Sequence, residues 1–150
     1  MSFEVNTTYE PFSREPEYIE GNRAFLDTLP FKDAKMVLDL ACGTGTISEL
    51  IMEIQPDITI MGIDLSRESL TLGKTDFLAK GMRLAGPLEI SSGALNGATR
   101  LVLIEGTADC LPFAHGCADI VFMGHSIHMV SNLDILLDEV RRVLADKGLF

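Results

Sequence analysis

The stretch Val37-Leu38-Asp39-Leu40-Ala41-Cys42-Gly43-Thr44-Gly45 decides how this chain is read. Its first half, with Met36, is a short and nearly continuous apolar run, which predicts a strand covered on both faces. After Gly45 the apolar residues fall at Ile47, Leu50, Ile51 and Ile54. That spacing predicts a helix with one buried face. Thr46 and Glu49 have the spacing of a capping box, which puts the helix start at Thr46. Gly43 and Gly45 occupy the strand-to-helix turn, where a missing Cβ lets the backbone bend tightly and approach a ligand.

The same alternation continues outward. Ile58 to Ile63 predicts a second strand ending at Asp64, and Ser66 is placed to cap a helix running to about Lys80. Leu101–Ile104 predicts a third strand and Asp119–Met123 a fourth. Ser131 is expected to cap a last helix, with Leu133, Leu136, Leu137, Val140 and Leu144 on one face and Lys147-Gly148 as its stop. Leu149-Phe150 would begin a fifth strand. Residues 81–99 are rich in Gly and Ser without periodicity and read as a loop. Ahead of the first strand, Glu15-Pro16 opens a helical pattern through Tyr18, Ile19, Phe25, Leu26 and Leu29, broken by the polar Asn22 and ended by Pro30. Apolar strands separated by helices predict an α/β fold: a Rossmann-like, doubly wound parallel sheet with helices on both faces and right-handed crossovers. A ligand is then expected outside the carboxyl ends of the strands, at the switch point. The division expected is an N-terminal helical lid segment, 1–35, and a ligand-binding domain, 36–150, lacking its C-terminal strands.

Composition narrows the function. The 150 residues carry 12 Lys plus Arg against 22 Asp plus Glu, a formal net charge of −10. Such a surface repels phosphate backbones, so no nucleic-acid partner is expected. Three cysteines, Cys42, Cys110 and Cys117, form no secreted disulfide framework. No apolar run reaches the roughly 20 residues of a membrane span, and the polar, acidic start is unlike a signal peptide. A cytoplasmic protein without a membrane partner is expected.

The glycine turn gains meaning from two acids. Asp64 lies 21 residues beyond Gly43, where a carboxylate can accept from both hydroxyls of a ribose; the competing reading is a local cap on the Ser66 turn. Asp39 lies four residues before Gly43. A dinucleotide site wants a third glycine, but Ser48 stands there. An acid beside a pyrophosphate would repel it, whereas an acid beside an ammonium and a sulfonium attracts. S-adenosylmethionine meets those terms, having a ribose, an adenine, positive charge and no phosphate.

The nine-residue stretch resembles motif I of class I S-adenosylmethionine-dependent methyltransferases, especially the ubiquinone/menaquinone-biosynthesis type. Gly62-Ile63-Asp64-Leu65-Ser66 resembles the family's second-strand motif. Gly106-Thr107-Ala108-Asp109-Cys110-Leu111-Pro112-Phe113 resembles its G-D-A-x-x-L-P-F segment. Asp119-Ile120-Val121 through Ile127-His128, and Arg142-Val143-Leu144 through Gly148, resemble the fourth-strand segment and the R-V-L-K-P-G-G turn. The likeness runs in the family's order from about Met36 to Phe150. It implies a methyltransferase acting on a small molecule. Asp39, Gly43 and Gly45 would hold the methionine moiety, Ala41 would also border the cofactor, Asp64 would bind the ribose, and Leu65 would pack on the adenine. Ala108 would offer its backbone to the adenine, with Thr107 or Asp109 near the exocyclic amine. Met123 and Gly124 would line the methyl-transfer side. Thr107 stands where the family usually has Asp, Ala118 where it has Phe, and Asp146-Lys147-Gly148 replaces Pro-Gly-Gly.

Catalytic candidates follow the fourth strand. His125 and His128 are each suited to take a proton from a hydroxyl or amine acceptor; alternatively His128, at a family position, orients the loop and His125 is solvated. Tyr9, Phe12 and Tyr18 would close over the cofactor, or Tyr18 is simply core. Cys110, His115 and Cys117, spaced C-x4-H-x-C, and the H-x-x-H of His125 and His128 match no usual zinc spacing, so no metal is expected. The partners expected are a small-molecule methyl acceptor and either a second copy or a completing chain. A non-catalytic S-adenosylmethionine-binding module and an NAD(P)-dependent oxidoreductase remain as alternative functions.

Overall fold

The structure, a computed structural model, describes residues 9–86 and 101–150. Two helices open it, α1 (Tyr9–Phe12) and α2 (Pro16–Leu26), followed by a single 3-10 turn at Phe31–Asp33. Then come β1 (Met36–Leu40), α3 (Thr46–Ile54), β2 (Thr59–Asp64), α4 (Arg67–Ala79), β3 (Leu101–Glu105), β4 (Ala118–Phe122), a 3-10 turn at Ile127–Met129, α5 (Leu133–Val143) and β5 (Leu144–Leu149). All ladders are parallel and the strand order is β3-β2-β1-β4-β5. Sequence order reverses between β1 and β4, so the crevice of this Rossmann-like sheet opens above their carboxyl ends.

Alternation along the strands divides the core in two. Val37, Ile60, Leu101, Leu103 and Ile120 face α2, α3 and α4, packing with Leu26, Ile51 and Phe77. Leu38, Leu40, Met61, Ile63, Val102 and Val121 face the other way, onto Leu136, Val140 and Val143 of α5. Both faces are therefore covered, which is why the strands read as unbroken apolar runs. Leu26 and Phe31 are fully buried in the first cluster, so the segment ahead of β1 contributes to the core as well as lying near the crevice.

Several element boundaries differ from expectation. The cap of α3 is Gly45, in left-handed conformation at φ 84° with no side-chain cap bond; Thr46 is the first helical residue, and Glu49 is drawn off to an ion pair with Lys80. The cap of α5 is Asn132, whose Oδ1 accepts the Ile135 N–H at 3.2 Å, instead of Ser131. Helix α5 ends at Val143, and β5 begins at once. Lys147 and Gly148 therefore lie inside β5, not at a helix stop, and Leu149 ends that strand instead of starting it. Lys147 has φ 73°, and the β4–β5 register slips between Ala118 and Ile120, which marks a bulge.

Two of the apolar residues on the expected face of α5 are uncovered: Leu133 is 48% and Leu137 38% exposed. Leu137 lines a groove of about 480 Å³ with Leu144, Lys147 and Phe150, alongside β5. The loop expected over 81–99 lies mostly outside the described residues; of its start, Leu84 pairs in parallel with Leu101, and Ala85 donates to the Leu101 carbonyl at 3.1 Å.

Candidate functional site

Four consecutive sheet positions deliver the expected residues to one edge. Residues 41–45 leave β1, Asp64 and Leu65 end β2, residues 106–109 leave β3, and residues 123–125 leave β4. Because the strands are parallel, all four carboxyl ends border one crevice. The loop after β1 is a tightly wound bend: Ala41, Gly43 and Gly45 all have positive φ, at 56°, 56° and 84°. A non-glycine residue held there is strained, so Ala41 stores some of the turn's cost. A Cβ on Gly43 would meet nothing within 4 Å, which leaves an open approach to the backbone. A Cβ on Gly45 would stand 2.8 Å from the Phe77 ring.

Asp39 is on β1 with the parity of Val37, so it faces α3. It is 2% exposed, and its Oδ2 accepts the Ser48 hydroxyl at 2.6 Å. The serine that stands where dinucleotide sites have glycine is thus the partner that makes a buried carboxylate tolerable. Burial pushes the Asp39 carboxyl up to about 7; the Ser48 hydrogen bond works against that rise and neighbouring Asp64 adds to it. The acid is turned to the helix instead of standing open to solvent. Its influence on a ligand is that of a nearby charge whose protonation responds to what binds.

Asp64 stands half-buried at the end of β2. Its Oδ2 accepts the Gly43 N–H at 2.8 Å and its Oδ1 the Ser66 N–H at 2.7 Å. It therefore braces the Ser66 turn, as the local-cap reading expected, with Ser66 itself capping α4 through the Ser69 N–H, and it also ties the glycine turn to β2. Each carboxylate oxygen has a second acceptor position beyond the bond it makes here. Leu65 beside it is 73% exposed. After β3, Thr107, Ala108 and Asp109 are half-buried, and the Thr107 hydroxyl accepts the Asp109 N–H at 3.2 Å, which fixes a turn over the strand end.

Beyond β4, Met123 and Gly124 are half-buried, while His125 and His128 are exposed. His125 has φ 55°. Its Nε2 lies 3.2 Å from the Asn22 Oδ1, and the Tyr18 ring is tilted against it at 5.4 Å between centroids. Tyr18 in turn meets Phe12 edge-on at 5.2 Å and also packs on the first core cluster, the core role expected for it. His128 sits in the 3-10 turn that follows. The side chain of Tyr9 lies outside what is described.

Three positions carry the site without a sequence signal. Asn22 looked like a defect in an apolar face. Gly73, in α4, belongs to no motif, yet a Cβ there would come within 2.4 Å of the Thr44 carbonyl oxygen. On Gly62 it would come within 2.8 Å of the Cys42 Sγ. Only contact between distant segments reveals these constraints; the sole available hint was the glycines themselves, in helix and strand interiors where they are disfavoured.

Asp64 borders this crevice and Asp39 lies buried beside it, and among the described residues no lysine or arginine is paired with either. With an exposed leucine next to a carboxylate that has acceptor capacity left, the residues fit a ribose-bearing, phosphate-free cation. No group of three or more potential metal ligands occurs among the described residues.

Residues 38–150 match the methyltransferase domain family. The chain is 28% identical over 135 residues to a demethylmenaquinone methyltransferase of Symbiobacterium thermophilum, covering 89% of this chain and 48% of that protein. It is 30% identical over 129 residues to a malonyl-[acyl-carrier protein] O-methyltransferase of Legionella pneumophila, covering 85% and 39%. The chain thus spans about half the length, or less, of these curated relatives. Among solved structures, a SAM dependent methyltransferase from Aquifex aeolicus superposes with a TM-score of 0.72 at 16% identity, over 92% of this chain and 66% of the other, a likeness of fold.

Proposed function

The chain belongs to the methyltransferase domain family, and from that membership we propose that it binds S-adenosylmethionine across the β1–β4 edge and transfers its methyl group to a small molecule. The observation that carries this reading is the pair Asp39 and Asp64: a half-buried carboxylate with free acceptor capacity beside a buried one, with no lysine or arginine paired with either among the described residues. In this arrangement Asp64 accepts from the ribose hydroxyls while holding the Gly43 N–H. Leu65 covers one face of the adenine, and Thr107, Ala108 and Asp109 border its edge. Ala41, Gly43 and Gly45 bring backbone close to the amino-acid tail, and Asp39 supplies negative charge beneath it. Met123 and Gly124 flank the side where the acceptor enters.

When bound, the sulfonium supplies both an activated methyl and its own leaving group. The protein's part is alignment, which can contribute about 7–11 kcal/mol by holding the reactants in line. His125 and His128 are the candidates for taking an acceptor's proton. The relatives' names include a quinone and an acyl-carrier-protein substrate, so the acceptor of this chain is a matter for assay.

Thermal unfolding in the presence of S-adenosylhomocysteine or of NADH tests the cofactor. Stabilisation by the first and not the second is expected; the reverse sinks the proposal. Asp64→Ala should weaken S-adenosylhomocysteine binding by about 1–3 kcal/mol, the cost of losing a hydrogen-bond acceptor in a closed site. Labelled methyl transfer to a metabolite extract separates an enzyme from a module that only binds the cofactor.

A further inference from the structure

A buried polar side chain on the core face of a helix costs stability unless its hydrogen bonds are met. Asn22 is such a residue: 8% exposed, on α2, in a row otherwise apolar. Its Nδ2 donates to the Tyr18 carbonyl at 2.7 Å. A carbonyl can only accept, so the amide orientation is fixed, and the Asn22 oxygen is the end presented to His125. That oxygen lies 3.2 Å from the His125 Nε2. An amide oxygen also can only accept. The neutral imidazole must therefore carry its hydrogen on Nε2, which leaves Nδ1 as the basic nitrogen.

Three further features point the same way. His125 is exposed, so Nδ1 is within reach of a ligand, and no protein partner for it occurs among the described residues. The histidine backbone is held at φ 55°, a conformation that persists only where surroundings impose it. The Tyr18 ring packs against the imidazole, so both contacts to His125 come from one turn of α2. The imidazole stands immediately after β4, on the crevice edge of the sheet.

We infer that Asn22 is a positioning residue that locks His125 in its Nε2–H tautomer, making Nδ1 the proton acceptor for a substrate bearing an O–H or N–H group. The inference rests on the methyl-transfer reading for its chemistry, though not for its geometry. As the acceptor heteroatom gives an electron pair to the methyl carbon, its proton passes to Nδ1, and the carbon–sulfur pair stays with the departing sulfur. The imidazolium so formed keeps its Nε2–H bond to Asn22. His125 then loses the proton to solvent, and the starting tautomer returns. Of the two histidines near the crevice, this assigns the proton to His125, since His128 has no comparable constraint among its described contacts.

The test is long-range nitrogen–proton NMR of the imidazoles in the full chain at a pH where His125 is neutral, with its signals assigned by their loss in His125→Gln. The wild-type ring should show the Nε2–H pattern. In Asn22→Ala the two ring nitrogens should shift towards a mixed tautomer population, while far-UV circular dichroism stays unchanged. A wild-type Nδ1–H pattern would overturn the inference, as would an unaltered pattern in a folded Asn22→Ala. Should Asn22→Ala not fold, the wild-type tautomer decides alone. S-adenosylhomocysteine titration of the same samples keeps the two claims apart. Failure to bind sinks the methyl-transfer reading whatever the tautomer, and the wrong tautomer sinks the role of Asn22 even where binding is intact.

Discussion

At the scale of single residues, the site is a set of tolerated costs. Asp39 is the clearest. Its carboxyl titrates near 7 in the fold because burial penalises the charge, against about 4 in an unfolded chain. Between those values the folded state holds more protons than the unfolded one, so this residue makes stability fall as pH rises from about 4 to 7 and contributes no further slope above. Asp39→Asn keeps an acceptor for Ser48 without the charge. It should match wild type near pH 4 and exceed it at pH 8, by on the order of a few kcal/mol, as read from urea unfolding at the two pH values. The ammonium of an amino-acid tail bound nearby favours the carboxylate. Binding of S-adenosylhomocysteine at pH 6 should therefore release protons from wild type, and not from Asp39→Asn, in calorimetry across buffers of different ionisation heat. Glycines show the same economy of space. Gly73→Ala places a Cβ within 2.4 Å of the Thr44 carbonyl oxygen. It should cost about 1–3 kcal/mol by overpacking and weaken cofactor binding through the displaced turn. Gly21→Ala is the control: a Cβ there meets nothing within 4 Å. Replacing a helical glycine should gain about 0.5–1 kcal/mol.

At the scale of elements, what matters is how each end is satisfied. Helix α5 begins at Asn132, so Asn132→Ala should lower stability by about 1 kcal/mol while Ser131→Ala changes it little; equal effects in thermal unfolding would contradict the observed cap. The same helix clamps the loop after β3. Arg142 donates to the carbonyls of Leu111 at 2.9 Å and Phe113 at 2.7 Å, and Glu139 accepts from the Leu111 N–H at 2.6 Å. The guanidinium of Arg142 holds the Glu139 carboxyl down to about 2. A depressed carboxyl contributes stability that is present above its unfolded value, about 4.5, and is lost as pH falls towards 2. Glu139→Gln should therefore flatten the acid limb of the unfolding curve below pH 4.5 and loosen residues 111–113, which lead from the turn after β3 towards β4.

At the scale of the whole molecule, a parallel sheet of five strands brings four loops from distant parts of the chain to one edge. A ligand spanning that edge couples them, so its binding energy adds to the stability of the fold. At a concentration of about 100 times its dissociation constant, S-adenosylhomocysteine should add about 2.7 kcal/mol. For a domain of this size that corresponds to a rise in Tm of roughly 5–10 °C, measurable by scanning calorimetry. A smaller rise at saturation would mean that binding also loosens part of the fold, or that the loops are not joined by one ligand.

The sequence alone determined the order of elements, the two-sided burial of the strands, the strand-to-helix glycine turn and the two acids that frame it, because each is a local pattern: apolar runs, helical spacing, and glycine where a Cβ is unwelcome. Its family likeness covered the same span. Tertiary structure decided what distant segments do to one another. Strand parity and the placement of α3 turned Asp39 onto Ser48. The sheet set Asp64 against the Gly43 N–H. The approach of α4 to the turn made Gly73 obligatory, and the docking of α2 joined Asn22 to His125 across 103 residues. The end of α5 also escaped sequence reading, because β5 follows it without a connecting turn and the strand is bulged at Lys147. Periodicity records which face of an element is apolar; which neighbour that face meets, and which polar groups pair across the contact, is fixed only when the elements are packed.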